Sequence, residues 1–76
     1  MEFESLRKAI ASILGVDPNE IEMGTTFMGD LGADSLDVYQ IVMDVEEELH
    51  ISVSWESVEK ITTVGEAVEL IKASEQ

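Results

Sequence analysis

The sequence contains no cysteine, which excludes a disulfide framework, a thiolate metal site and a thiol nucleophile built from the chain's own residues. Cations are scarce: 4 Lys and Arg stand against 17 Asp and Glu, for a net charge of −13. Binding a polyphosphate requires cations that displace its counterions, so nucleic acid is excluded as a direct ligand. Anionic membrane surfaces are disfavoured by the same repulsion. No segment approaches the ~20 consecutive apolar residues of a membrane span, so no membrane insertion is expected. The opening Met1-Glu2-Phe3-Glu4 has neither the basic region nor the apolar run of a signal peptide, and the composition fits a cytoplasmic protein.

What is present is 76 residues, 45% of them hydrophobic, which predicts one small folded domain over residues 1–76 rather than a disordered acidic tail. A chain this short buries only about 60–65% of its unfolded surface and has no room for a deep two-domain active site. Its charge points instead to protein partners with basic patches, found by electrostatic steering.

Apolar spacing organises the chain into helices. Phe3, Leu6, Ile10, Ile13 and Leu14 form one stripe, stopped by Gly15 with Val16 as the apolar residue beyond it. Asp17-Pro18-Asn19-Glu20 reads as a brief helical turn, with Asp17 as cap, Pro18 first inside and Glu20 completing a capping-box-like pair. From Ile21 to Asp34 there are three glycines and no sustained period, which predicts a long loop pinned to the core by Ile21, Phe27 and Leu31. A second helix starts at Asp34 or Ser35 and runs to about His50, burying Val38, Ile41, Val42, Val45 and Leu49. Ile51 to Ser54 alternates like a strand but has no partner, so it reads as an extended connector to a short helix from Trp55 to about Lys60, capped by Ser54. The last helix starts at Thr63, paired with Glu66 in a capping box, and buries Val64, Ala67, Val68 and Ile71. The fold class is all-α: a small four-helix bundle of three main helices and one short one, with a long loop between the first two.

Leu36 and Met43 point away from the second helix's core stripe. They share the outer face with Gln40 and Glu47, flanked by Asp37, Asp44 and Glu48. An apolar centre within carboxylates suits a docking surface, while single exposed apolar residues are also ordinary. No Lys or Arg occurs between residues 9 and 59, a stretch with twelve acids, so a basic partner meets no like charge there. Charge runs are as commonly solvated faces.

Ser35 has two readings. It is a cap or first-turn residue, for which Ser is favoured, or a modification site, where the free amides and dipole of a helix N-terminus would stabilise an attached phosphate.

The run Asp30-Leu31-Gly32-Ala33-Asp34-Ser35-Leu36-Asp37 resembles the acyl carrier proteins of bacterial fatty-acid synthesis. The likeness extends through Val42-Met43, Glu46-Glu47-Glu48 and Glu59-Lys60-Ile61-Thr62-Thr63-Val64 and covers nearly the whole chain. Asp-Ser-Leu alone is weak; the octet at a helix start in a short acidic helical chain is strong. The resemblance implies that Ser35 carries 4'-phosphopantetheine, donated by coenzyme A, with Asp34 and Leu36 recognised around the attachment site. The terminal thiol of that group would hold acyl intermediates as thioesters, supplying what a chain without cysteine lacks.

The resemblance further implies a carrier without catalytic activity of its own and docking through Leu36, Asp37, Gln40, Met43, Asp44, Glu47 and Glu48. The implied partners are a phosphopantetheinyl transferase and acyltransferases, ketoacyl synthases, reductases and dehydratases with basic patches, visited by a monomer. An acyl chain would enter between the helices, with Tyr39, Val42, Val45, Ile61 and Val68 as candidate lining. Position 40 is Gln where an acid is usual, 39 is Tyr where a small aliphatic is usual, 44 is Asp where a small residue is common, and Ser54-Trp55 replaces a frequent Pro-acid pair. These departures leave open a specialised carrier for a polyketide or dedicated lipid pathway. Tyr39 would line or narrow the acyl entrance or pack as a partly buried aromatic, and Trp55 would be a partner contact or a cover over the core edge.

Other function classes fit less well. A catalytic serine has only His50 as candidate base, and fifteen residues of helix at ~1.5 Å rise place it on the order of 20 Å away. His50 is expected instead to interact with the carbonyls ending the helix. A calcium loop begun at Asp30 needs Gly at its sixth position and Glu at its twelfth, where Ser35 and Ile41 stand, so no metal site is expected. An unmodified acidic protein-interaction domain remains the third alternative. The length favours a free-standing carrier, although a domain excised from a larger synthase would read the same.

Overall fold

The computed structural model describes residues 2–75. Four helices follow in chain order: α1 (Glu2–Leu14), α2 (Ser35–Leu49), α3 (Trp55–Val58) and α4 (Val64–Ser74), with a 3-10 turn at Pro18–Glu20 between α1 and α2. Among the described residues no strand forms, and the Ile51–Ser54 segment is an extended connector.

The apolar stripes converge on one core. Leu6 and Ile10 of α1, Ile41 and Val45 of α2, and Val64, Val68 and Ile71 of α4 are all buried, joined by Ile21 and Phe27 from the loop. Full burial of one such side chain contributes about 1.5–3 kcal/mol, so these residues are the main source of stability in a chain with no covalent staple. α1 packs most extensively against α2 and then against α4, whereas α3 touches α4 over a smaller contact. One polar link reinforces the α1–α2 seam: buried Ser5 donates from Oγ to Glu48 Oε2 at 2.7 Å.

Local chemistry sets the element ends. Gly15 has φ +68° and donates its N–H to Ala11 O at 2.9 Å, the left-handed stop a glycine adopts without strain. Asp17 accepts from the Asn19 N–H at 2.9 Å, while Glu20 is exposed and closes no reciprocal bond. A capping box was expected there; a three-residue 3-10 turn is too short and tight to bring the third residue back to the cap. His50 also departs from expectation. It adopts φ 57° and ψ 49°, and its backbone N–H, rather than its ring, satisfies Glu46 O. The connector beyond is held by Glu46 Oε2, which accepts from the Val53 N–H at 2.6 Å. The short helix ends at Val58, two residues before the expected Lys60, and continues as turns through the Lys60 and Ile61 N–H groups to Ser57 O and Val58 O.

The long loop is anchored by its backbone. Thr26 and Thr63 form an isolated antiparallel bridge, flanked by bonds from the Phe27 N–H to Thr62 O at 3.1 Å and from the Val64 N–H to Thr25 O at 2.8 Å. Thr26 and Asp30 exchange side-chain-to-backbone bonds at 2.8 and 3.0 Å, closing a tight turn. The Ala33 N–H then returns to Phe27 O at 2.9 Å, which delivers the chain to the head of α2.

Candidate functional site

The head of α2 is built by a reciprocal cap. Asp34 Oδ1 accepts the Asp37 N–H at 2.9 Å and Asp37 Oδ2 accepts the Asp34 N–H at 3.3 Å. Ser35 is therefore the first helical residue, and it is exposed. Its own N–H and that of Leu36 belong to the helix's first turn, where no intrahelical acceptor exists. Among the described residues no hydrogen bond engages Ser35 Oγ. An exposed hydroxyl beside free amides and the positive end of a fifteen-residue helix dipole suits a phosphoester, whose charge those groups stabilise.

A cavity of about 270 Å³ opens beside this serine. Ser35, Val38 and Tyr39 of α2 form one side, Val58 of α3 with Glu59 and Ile61 another, and Phe27, Met28 and Gly29 of the loop the third. Of the five lining candidates taken from the resemblance, Tyr39 and Ile61 border this space. Val42, Val45 and Val68 are buried in the core and border none of it. Periodicity identifies a helix's inner face but not which part of that face meets a gap. Tyr39 meets Trp55 edge to face, ring centroids 5.1 Å apart at 90°, so the two aromatic departures noted in the sequence are in contact with each other.

The outer face of α2 presents Leu36, 76% exposed, and Met43, 44% exposed, with Gln40 and Glu47 also exposed. Three of the flanking acids are already engaged. Asp37 caps the helix, Asp44 accepts from Gln40 Nε2 at 3.2 Å, and Glu48 accepts from Ser5. Glu47 is thus the acid on this face with no protein partner among the described residues. Met28, 62% exposed at the cavity mouth, was not singled out from the sequence. It lies in an aperiodic loop, where no pattern distinguishes an exposed apolar residue from a buried one. Among the described residues no group of three or more His, Asp or Glu side chains is placed to hold a metal ion, and no helix is long and apolar enough to cross a membrane. His50 stands at the opposite end of α2 from Ser35.

The described residues thus form a helical bundle with an exposed serine at a helix head, beside a cavity. The family model for the phosphopantetheine attachment site matches residues 4–71. An acyl carrier protein of Clostridium acetobutylicum is 47% identical over 73 residues, covering 96% of this chain and 95% of that protein. One from Clostridium perfringens strain SM101 is 46% identical over 69 residues, covering 91% of each. A solved structure from Mycobacterium tuberculosis assigned as an acyl carrier protein superposes with a TM-score of 0.87 at 29% identity, covering 96% of this chain and 97% of that one. The chain belongs to the acyl carrier protein family, whose members bear phosphopantetheine and carry acyl groups for biosynthetic enzymes without catalytic activity of their own.

Proposed function

We propose that Ser35 is the phosphopantetheine attachment point and that residues 1–76 act as one monomeric cytoplasmic carrier domain. The observation that carries this reading is the position of Ser35: first residue of α2, exposed, and at the mouth of the cavity. When bound, the prosthetic group supplies the thiol that holds the acyl chain. The chain's own residues do the rest. The Ser35 hydroxyl gives the ester oxygen, the first-turn amides of α2 favour the phosphate, and Asp34 and Asp37 fix the helix start that presents it. Asp34 and Leu36, on either side of the serine, are the residues a phosphopantetheinyl transferase would read first.

The apolar cavity accepts the acyl chain, with Tyr39 and Ile61 as walls. Leu36 and Met43 form the apolar centre of the docking face, and Glu47 offers free charge to basic patches on a transferase, acyltransferases, ketoacyl synthases, reductases and dehydratases. The Tyr39–Trp55 contact favours a second, narrower reading, a carrier dedicated to one lipid or polyketide pathway. Free exchange with general fatty-acid enzymes at comparable rates would remove that narrower reading and leave the first intact.

The test is intact mass after incubation with coenzyme A and a phosphopantetheinyl transferase. A gain of one phosphopantetheine, abolished in Ser35→Ala, is the expected result. No gain with several competent transferases, or a gain that persists in Ser35→Ala, overturns the assignment.

A further inference from the structure

Tyr39 borders the cavity, and Trp55, against which its ring packs, does not. On α2 the cavity lining consists of Ser35, Val38 and Tyr39, and the next inward residues along the helix, Ile41 and Val42, are buried without bordering it. On α3 the lining begins at Val58, and Trp55, one helical turn earlier, lies outside it. The two rings therefore link α2 and α3 with Tyr39 on the cavity wall and Trp55 beyond it, edge to face with centroids 5.1 Å apart, a geometry worth about 0.5–1.5 kcal/mol beyond burial.

The two helices differ in how firmly they are held. α2 has fifteen residues and packs against α1. α3 is a single turn of four residues whose cap bond, from the Ser57 N–H to Ser54 Oγ, is long at 3.4 Å. Trp55 is 46% exposed, so it is a brace on the outer edge and not a core residue.

We infer that Tyr39, braced by Trp55, is a length-determining residue: it stops an acyl chain that enters beside Ser35 from passing along α2 toward Val42. This rests on the carrier reading of Ser35. A methylene takes up about as much space as a water molecule, ~30 Å³, so a 270 Å³ cavity is filled by roughly eight or nine carbons. Beyond that length the chain must displace Tyr39 from Trp55 or remain outside in water, where each further methylene loses its burial. The cargo class that fits is therefore a short to medium saturated acyl group.

The experiment loads the full chain with acyl-phosphopantetheine groups of about four to fourteen carbons, from the corresponding acyl-coenzyme A and a transferase. It reads three quantities: intact mass, the half-life of the thioester against hydroxylamine, and the emission of Trp55, the chain's sole tryptophan. In the unaltered protein the half-life should lengthen up to about eight carbons and then level off, with Trp55 emission changing only for longer chains. Tyr39→Val should move that break upward by about two carbons, Tyr39→Phe should leave it in place, and Trp55→Ala should shift it in the same direction as Tyr39→Val. Helicity of each variant is checked by circular dichroism; should Tyr39→Val fail to fold, Trp55→Ala, altered at a half-exposed site, and the Trp55 emission series decide. An unchanged break in the folded variants, or no break across the series, overturns the inference while the mass gain preserves the carrier reading. Absence of any mass gain on Ser35 overturns both.

Discussion

Ser5 Oγ and Glu48 Oε2 lie 2.7 Å apart, joining residues 43 positions apart in sequence across the α1–α2 seam. Ser5 is only 8% exposed, and no apolar periodicity accounts for its burial. Removing the hydroxyl leaves the carboxylate without its donor, and a hydrogen bond to a charged group is worth about 1.5–3 kcal/mol when partly buried. Ser5→Ala should lower the unfolding free energy by about 1–2 kcal/mol in urea titration, with unchanged denaturant slope.

Glu66 accepts the Thr62 N–H at 2.6 Å and the Thr63 N–H at 3.0 Å, and these backbone bonds hold its carboxyl below the ordinary value of 4.5. A folded pKa lower than the unfolded one contributes stability that is present above the unfolded value and lost as pH falls through the folded one. Between about pH 5 and pH 3 the urea midpoint of the unaltered protein should therefore drop further than that of Glu66→Gln, which keeps an acceptor but has no proton to bind. Parallel curves for the two proteins would show that Glu66 does not contribute to acid sensitivity.

Gly65 sets two effects against each other. Helix propensity favours Ala over Gly by about 1 kcal/mol in a helix interior. A Cβ at this position, however, would stand 2.9 Å from Met23 O, the same oxygen that accepts the Gly65 N–H at 2.7 Å. The obstacle is backbone, which cannot swing aside as a side-chain end can, so the contact wins. Gly65→Ala should be destabilising by about 1–2 kcal/mol by chemical denaturation and should loosen the loop anchored at Thr26–Thr63, seen as faster hydrogen exchange at Phe27.

Leu36→Ala and Met43→Ala change exposed side chains on the outer face of α2. Each should alter stability by no more than about 0.5 kcal/mol and leave helicity intact, yet slow modification by a phosphopantetheinyl transferase. Global unfolding of either variant would reassign that residue to the core.

Much of this protein was legible in its local sequence. Stripes such as Val38, Ile41, Val42 and Val45 determine an inner helix face because burial selects every third or fourth residue. The pair Thr63–Glu66 marks a helix start because the bond partners are three residues apart, and the structure adds a second pair of the same spacing, Asp34–Asp37. Ser35 at the head of an acidic helix follows from the same short-range chemistry. The Glu20 pairing and the role of the His50 ring were misread because both depended on the geometry of an element end rather than on spacing.

The absence of cysteine and the charge of −13 were properties of the sequence by itself, and they excluded a thiol of the chain's own and a direct nucleic-acid ligand. Tertiary structure alone decided which inner-face residues border open space, separating Tyr39 and Ile61 from Val42, Val45 and Val68. It also brought Tyr39 against Trp55, Ser5 against Glu48 and Thr26 against Thr63. The reason is physical: helical periodicity and capping are set within a few residues, whereas a cavity is the space left when segments distant in sequence fail to close, and its extent depends on how all of them pack together.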